Sequence, residues 1–586
     1  MASSSHHHPG LGDDLLAAGP EKAGPGQTAK IQGWGDATRP GEHNPTGASQ
    51  ALRTDLIRDA AGRLLEKRTA SHHYHYRHDA VDQLLSAIKF QVLGQQVGPT
   101  GQPQFNLKPL HTTTFEYDLV GNLVAETATD AQTGQSHTLR HSHDPLGNRT
   151  QTQLPTLPGQ PYLQRALNYL HYGSGHLHQI NYSQRDTQNN THGPDALAVH
   201  QLISDIERDA LHREIHRTQG QVQTRYALDP LGRRQGAWSQ PIDQRSRPYQ
   251  ASDTHWQRAV LSAGTPEQNP FDGLMKAYAY DKVGELRQSR HSLRGDIAHQ
   301  YDATGRIEHT VRQLFGTSQT PHPTQQNAAN NERFQYDPAG NILDNHRQAE
   351  LAQRTQHLQE GYVRDNLVRV YEDKRYAYDG HGRLIQKLSG KHTAQTFEWD
   401  EESRLTAVTT TRRPGTEHAT TQTTRFDYDA IGRRVAKHDS FGTTVFIWEG
   451  MRLIEERRGS AVISYVYEPD SYVPLARLDA EGERTEQGGL GTTQDAQQLK
   501  TSKNIAAGAS QTSAGGQKDP KPQAAAAAND PETQYWAALA SQGSHRSQDD
   551  GSDANATAQA PLCEVYYFHT DQVGLPEELS NAQGQI

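Results

Sequence analysis

An all-β chain of repeated antiparallel hairpins is what this sequence predicts, and three observations predict it. The first is the spacing Asp-x-x-Gly. It occurs twelve times, beginning at Asp59, Asp118, Asp144, Asp229, Asp281, Asp302, Asp337, Asp379, Asp429, Asp439, Asp479 and Asp571. With 39 Asp and 50 Gly in 586 residues, chance would give about three matches, so self-similarity has to be settled before any other reading. The second is what flanks the spacing. An aromatic precedes the Asp at Tyr117, Tyr280, Tyr301, Tyr336, Tyr378 and Tyr428, another lies two residues earlier at Phe115, Tyr278, Phe334, Tyr376 and Phe426, and an aliphatic follows the Gly at Leu64, Leu123, Leu286, Ile307, Ile342 and Leu384. The third is composition. Hydrophobic residues make up 33% of the chain and mean hydropathy is −0.88, too little for a thick core in every domain and better suited to strands with a wet face.

One copy shows how the unit works. In FQYDPAGNIL, Phe334 and Tyr336 share a strand face because strand side chains alternate. Asp337 can bond its own downstream backbone, Pro338 fixes φ, and Gly340 can adopt positive φ, after which Ile342 and Leu343 resume extended chain. Weaker copies stand at Asp79, Asp209 and Asp400. The common interval is close to twenty residues, as from Asp59 to Asp79 and from Asp209 to Asp229, enough for two strands and two turns.

Four regions follow. Residues 1–51 lack periodicity and read as a flexible N-terminal region; 52–483 carry the repeat; 484–560 are a low-complexity insertion rich in Gln, Ala, Gly and Ser, with a short helix expected near Pro531–Ala540; and 561–586 return to strands. Within the repeat, 91–110, 181–200 and 311–331 read as polar loops, and the Pro-rich pieces 154–161 and 241–248 read similarly. A net charge of −10 with no basic patch gives no reason to expect a nucleic-acid partner, and a single cysteine, Cys563, excludes an intrachain disulfide framework. No apolar run is long enough for a spanning helix, and the N-terminus has no secretory signal pattern.

Candidate chemistry is sparse. His72, His73, His75 and His78 are the densest histidine group; His73 and His75 would share a face, yet no completing ligand has matching spacing, so they read as strand residues. His141 and His143 occupy the aromatic positions of the repeat. The repeated Asp residues could be imagined as paired catalytic carboxylates, but their equivalence makes them turn formers. Arg63, Arg233, Arg306, Arg383 and Arg433, just after the turn Gly, line an inner face or keep the sheet edge soluble, and the sequence leaves both open. No catalytic, cofactor-binding or metal residue is assigned, and no cofactor is expected.

FEYDLVGNLV, YAYDKVGELR, FQYDPAGNIL, YAYDGHGRLI and FDYDAIGRRV resemble the YD repeat of the Rhs family, and YGSGHLHQI, YVYEPDSYVPLARLD and YYFHTDQVGLPEELSNAQG are similar to further segments of that family. The resemblance covers roughly 52–483 and 561–586. It implies a long β-strip wound in a spiral as part of a hollow cocoon, which in Rhs effectors and insecticidal toxin-complex components encloses a C-terminal toxin until delivery. It also implies a toxin region in the same or a separate chain as partner, with secretion-system spike proteins or chaperones, and export from the bacterial cytoplasm by a dedicated secretion system. The family's cleavage motif would come after Asp571–Leu575, so the chain is expected to stop short of it and to carry no toxin or enzyme activity. A different expectation, a surface adhesion or carbohydrate-binding array, rests on the abundant Tyr, which suits stacking on sugars.

Overall fold

Strands and turns make up nearly all of the described part of the computed structural model, which covers residues 28–32, 52–97, 103–187, 199–242, 273–313, 331–336, 338–343, 363–364, 366–371, 373–469, 471–482 and 563–585. Those residues contain no α-helix. Twenty strands from Thr28 to Arg333 form one sheet, and thirteen from Val370 to Asn581 form a second; two short hairpins, Gln335–Tyr336 with Ile342–Leu343 and Val363–Arg364 with Leu367–Val368, lie between them in sequence. Within each sheet every strand pairs antiparallel with its sequence neighbours, an up-and-down meander, and neither sheet closes on itself.

The Asp-x-x-Gly turn explains the repeat. At Asp118 the backbone N–H donates to the Asn122 carbonyl at 3.0 Å and the Gly121 N–H donates back to the Asp118 carbonyl at 3.1 Å. One carboxylate oxygen accepts the N–H groups of Val120 and Asn122, at 3.0 and 2.8 Å, and the other accepts the Asn122 side-chain amide. Gly121 has φ +95°, the left-handed residue that closes a type I turn with a bulge in a hairpin. Beyond it Tyr117 faces Leu123 while Glu116 faces Ala125, so one extra residue bulges after each turn. In the weaker copies Asp82, His212 and Ser403 hold the same left-handed φ, at 74°, 61° and 59°, without glycine's freedom.

Nine of the twelve spacings form this turn, as do Asp79, Asp209 and Asp400. Two do not. Asp479 lies inside the strand Pro474–Glu481, opposite Ile463, and Asp439 ends a strand opposite Gly442 in a two-residue hairpin. Asp337 lies outside the described residues, as does the helix expected near Pro531–Ala540.

Two expectations are corrected. Residues 91–110 are not a polar loop: Leu84–Val97 and Pro103–Tyr117 form one long hairpin whose outer part extends beyond both neighbouring strands. Its polar composition reflects exposure, since paired backbone groups hold a hairpin whatever side chains it carries. Within 1–51, Thr28–Gln32 is a strand paired to Arg53–Ile57, too short to give a periodic signal. Likewise 181–186 and 311–313 belong to strands, Leu177–Asp186 and Ile307–Gln313.

The buried core lies between the sheets. Leu139, Leu154, Leu167, Ile180, Tyr182 and Ile203 of the first pack with Ile454, Val466, Leu475, Leu478, Val565 and Tyr567 of the second. These residues all belong to one compact unit, Met1–Leu490 with Leu562–Ile586. Each sheet therefore keeps one wet face and shares the other, which is how so polar a chain obtains a core.

Candidate functional site

Because the Asp turns join every second pair of strands, they all lie along one edge of the strip, together with the turns at Tyr172, Gly450 and Glu468, and the remaining turns lie along the other. The first edge is stitched from hairpin to hairpin. Where Arg follows the Gly, its Nε meets the second carboxylate oxygen of the turn Asp: Arg63–Asp59 at 2.6 Å, Arg233–Asp229 at 2.6 Å, Arg306–Asp302 at 2.8 Å, Arg383–Asp379 at 2.7 Å and Arg433–Asp429 at 2.7 Å. The same guanidinium reaches the next turn, Arg63 donating to the Asp79 carbonyl and Arg383 to that of Asp400. The aromatic before Asp works in the other direction. Tyr117 donates its hydroxyl to the Leu84 carbonyl at 3.1 Å, Tyr301 to Leu286 at 2.7 Å and Tyr428 to Leu405 at 2.8 Å, while Trp399 donates its indole N–H to Leu384. Arg233 and Arg306 lie over the rings of Tyr280 and Tyr336, each 4.6 Å from the centroid. Such bonding holds the carboxylates ionised. The Asn122 amide and the turn N–H groups keep Asp118 below its ordinary range, and Thr304, Arg306 and their N–H groups do so for Asp302.

Across the strip runs a seam. From one end of the first sheet to the other its partners advance along the second, from Tyr74 with Glu402 through Arg165 with Glu455 to Arg294 with Glu577. Early strands of one thus meet early strands of the other, and the strip returns alongside itself as successive windings do. Overlap is staggered: the half of the first winding away from its Asp turns covers the Asp-turn half of the second. Ala430, at a second-winding turn tip, packs with Tyr74 and Ala87, and Ile431, Tyr76 and Leu84 lie against that cluster.

Charge at the seam is polarised. The first winding supplies mostly cations and the second mostly acids: Lys67 with Glu402, Arg149 with Glu449, Arg165 with Glu455 at 2.7 Å, Arg217 with Glu468 at 2.7 Å, and Lys276 with Glu577 and Glu578 at 2.6 and 2.7 Å. Arg433 with Glu126, at 2.5 Å, runs the other way. Arg165 and Glu455 are 1% and 0% exposed; burial works against the Glu455 carboxylate, but Arg165, Arg457 and Ser464 hold it below its ordinary range. Lys89 donates to the Tyr428 carbonyl at 2.9 Å, and burial with the nearby Arg404 charge lowers its pKa to about 8. Burial keeps seam histidines neutral, with His72, His141 and His569 each lowered to about 4. The chemistry on offer at the seam is cohesion of two windings.

No family model matches the chain. Among curated proteins it is 31% identical over 466 residues to the double-stranded DNA deaminase toxin A of Burkholderia cenocepacia, covering 78% of this chain and 27% of the relative. It is 28% identical over 384 residues to the toxin protein Tse5 of Pseudomonas aeruginosa, covering 62% of this chain and 25% of that one. A shorter match, 30% over 188 residues, is to the probable deoxyribonuclease RhsB of Dickeya dadantii, covering 31% of this chain and 11% of that one. The repeat, its stitched turns and these relatives agree. The chain is an Rhs/YD-repeat protein. It spans about a quarter of the length of the first two relatives. Among solved structures, that of TcdB2–TccC3 aligns with a TM-score of 0.39 at 12% identity, over 92% of this chain and 24% of that one.

In this Rhs/YD-repeat chain the residues singled out by sequence have structural posts. His73 stacks edge-on to Phe105 and His75 lies against Phe90, with ring centroids 4.4 and 4.7 Å apart, so they do share a face, and it is packed with aromatic rings. His141 is buried against Thr152. The five arginines neither line an open inner face nor idle in solvent, because each belongs to its own turn. The tyrosines before Asp have their hydroxyls bonded to backbone carbonyls and several rings covered by arginine, which removes the support for sugar stacking. Among the described residues, His291, Glu577 and Glu578 form one group with metal-ligand spacing; Lys276 and Arg294 already pair with its carboxylates. The seam acids Glu402, Glu449, Glu455 and Glu577 were invisible to sequence reading, since nothing local distinguishes them from surface glutamates.

Proposed function

We propose that this chain is a shell segment of a larger Rhs polymorphic toxin, a wall that encloses and delivers a C-terminal toxin region rather than a catalyst. The observation that carries this reading is the staggered overlap of two windings sealed by apolar packing and buried ion pairs. A strip that overlaps itself makes a wall sealed between its windings, and such a wall acts by excluding proteases and cytosol. The curated relatives are toxins by name, and their greater length leaves room for an enclosed region. On this reading the direct partner is that toxin region, in the same or a separate chain, with secretion-system spike proteins or chaperones at the ends. Export from the bacterial cytoplasm then falls to the dedicated secretion system.

The test is limited proteolysis of the polypeptide that joins this chain to the toxin region. Encapsulation predicts that the toxin region is protected until the wall is unfolded or opened. A toxin region cut at the rate of the same region expressed alone would overturn the reading.

A further inference from the structure

The two windings differ at their Asp-turn tips. At the third residue of the turn the second winding places Glu402 and Ile431, which the first winding covers. Glu402 bonds Tyr74 and Lys67, and Ile431 sits in the cluster of Tyr74, Ala87 and Ala430. The first winding has Val81, Val120, Leu146, Leu211, Leu231 and Val283 at the same repeat position, between 70% and 83% exposed. Six apolar tips in register along one edge, three on either side of the Tyr172 turn with its Ser174, make an apolar rim. Coverage of a tip depends on the face opposite, for Met451, Tyr472 and Val573 on the second winding's turn edge stay exposed.

From this we infer that the rim of the first winding is a docking surface for another antiparallel strip of the same repeat, which in a solution of this chain alone is a second copy. The argument is continuity with the seam. There the far half of one winding receives the turn tips of the next, and where the tip is apolar the receiving face is Tyr74, Tyr76, Leu84 and Ala87. The rim repeats that apolar chemistry six times and lacks the glutamates that meet lysine and arginine in the seam. Its occupant therefore presents tyrosine and aliphatic side chains rather than a row of cations. The second winding's far half has no further winding over it among the described residues, so it can receive the rim of another copy. Such a contact is head-to-tail and does not close. The inference does not depend on what the wall encloses.

Sedimentation of the chain from about 1 to 100 µM, a range that brackets micromolar association, tests it. The expected result is a concentration-dependent series growing past dimer. Val120→Glu with Leu146→Glu should raise the concentration needed at least tenfold. Leu93→Glu, an exposed apolar site on the long hairpin away from the rim, should leave it unchanged. Circular dichroism of the variants confirms that the fold survives substitutions at exposed tips. A wild-type chain that stays monomeric throughout, a rim variant that associates as readily as wild type, or a Leu93 variant that loses association equally would each overturn the inference.

Discussion

The two edges of the strip obey different rules. Along one edge every Asp turn has the same length, one left-handed residue and one set of bonds, from Asp59 to Asp571, and only the connections at Gly450–Met451 and Glu468–Val473 depart from it among the described residues. Along the far edge the connections range from the two-residue turn at Ser440–Phe441 to segments of tens of residues. The segments 98–102, 188–198, 243–272, 314–330 and 483–562, outside the described residues, all join strands at the far edge. A connection can lengthen freely where closure entropy is its main cost. It cannot where its side chains also bond the neighbouring hairpin and its tip packs into a seam.

The contrast can be broken most severely at the seam. Glu126→Ala removes the carboxylate that Arg433, itself 3% exposed, meets from the other winding; it should cost about 3–5 kcal/mol, as losing one partner of a buried pair does. Arg312→Ala, exposed near the far edge, should stay within about 0.5 kcal/mol. Denaturant melts of the two variants give the comparison.

A six-residue Gly–Ser insertion between Leu119 and Val120 should cost about 2–4 kcal/mol, because the turn loses several bonds at once. The same insertion between Glu417 and His418, in a far-edge connection, should cost about 1 kcal/mol or less. Equal shifts in melting temperature would dissolve the distinction between edges.

Acid should loosen the Asp-turn half. His569 is buried against Ser239 and Ser580 and its pKa is lowered to about 4 by burial and Lys276. An unfolded histidine takes up its proton near pH 6.5, so between pH 6.5 and 4 the unfolded state binds more protons and stability falls as pH falls. The loss approaches about 2–3 kcal/mol, and His569→Gln should flatten a plot of melting temperature against pH in that window.

Gly121→Val places a branched side chain at φ +95° with its Cβ 3.0 Å from Gln83 Nε2, and about 1–3 kcal/mol should be lost. Gly94→Ala, in the far part of the long hairpin with nothing within 4 Å, should change stability by about 0.5 kcal/mol or less. The smallest loss among the disruptive substitutions belongs to the stitching: Tyr428→Phe deletes the bond to the Leu405 carbonyl and should cost about 0.5–1.5 kcal/mol. Chemical denaturation against wild type measures all three.

Legibility follows the same division between edges. The Asp turns could be read because each is closed by residues within five positions of one another, and chance matches such as Asp439 and Asp479 were about as numerous as composition alone predicts. The long hairpin at 91–110 was misread because pairing of backbone groups leaves no mark on side chains that face water. The post of Arg63 and its equivalents was missed although Asp and Arg stand four residues apart, since a bent turn brings them together where a strand would not.

By itself the sequence determined the local unit: a hairpin of fixed turn, repeated with a period near twenty, in an all-β Rhs/YD-repeat chain. Local bonds between near neighbours are sufficient for that. Only the tertiary structure decided that the strip overlaps itself, which winding supplies cations and which acids, and which turn tips are covered. Those contacts join residues about 300 positions apart. Their pairing depends on how twist and curvature accumulate over some dozen hairpins, a sum that no single copy of the repeat encodes.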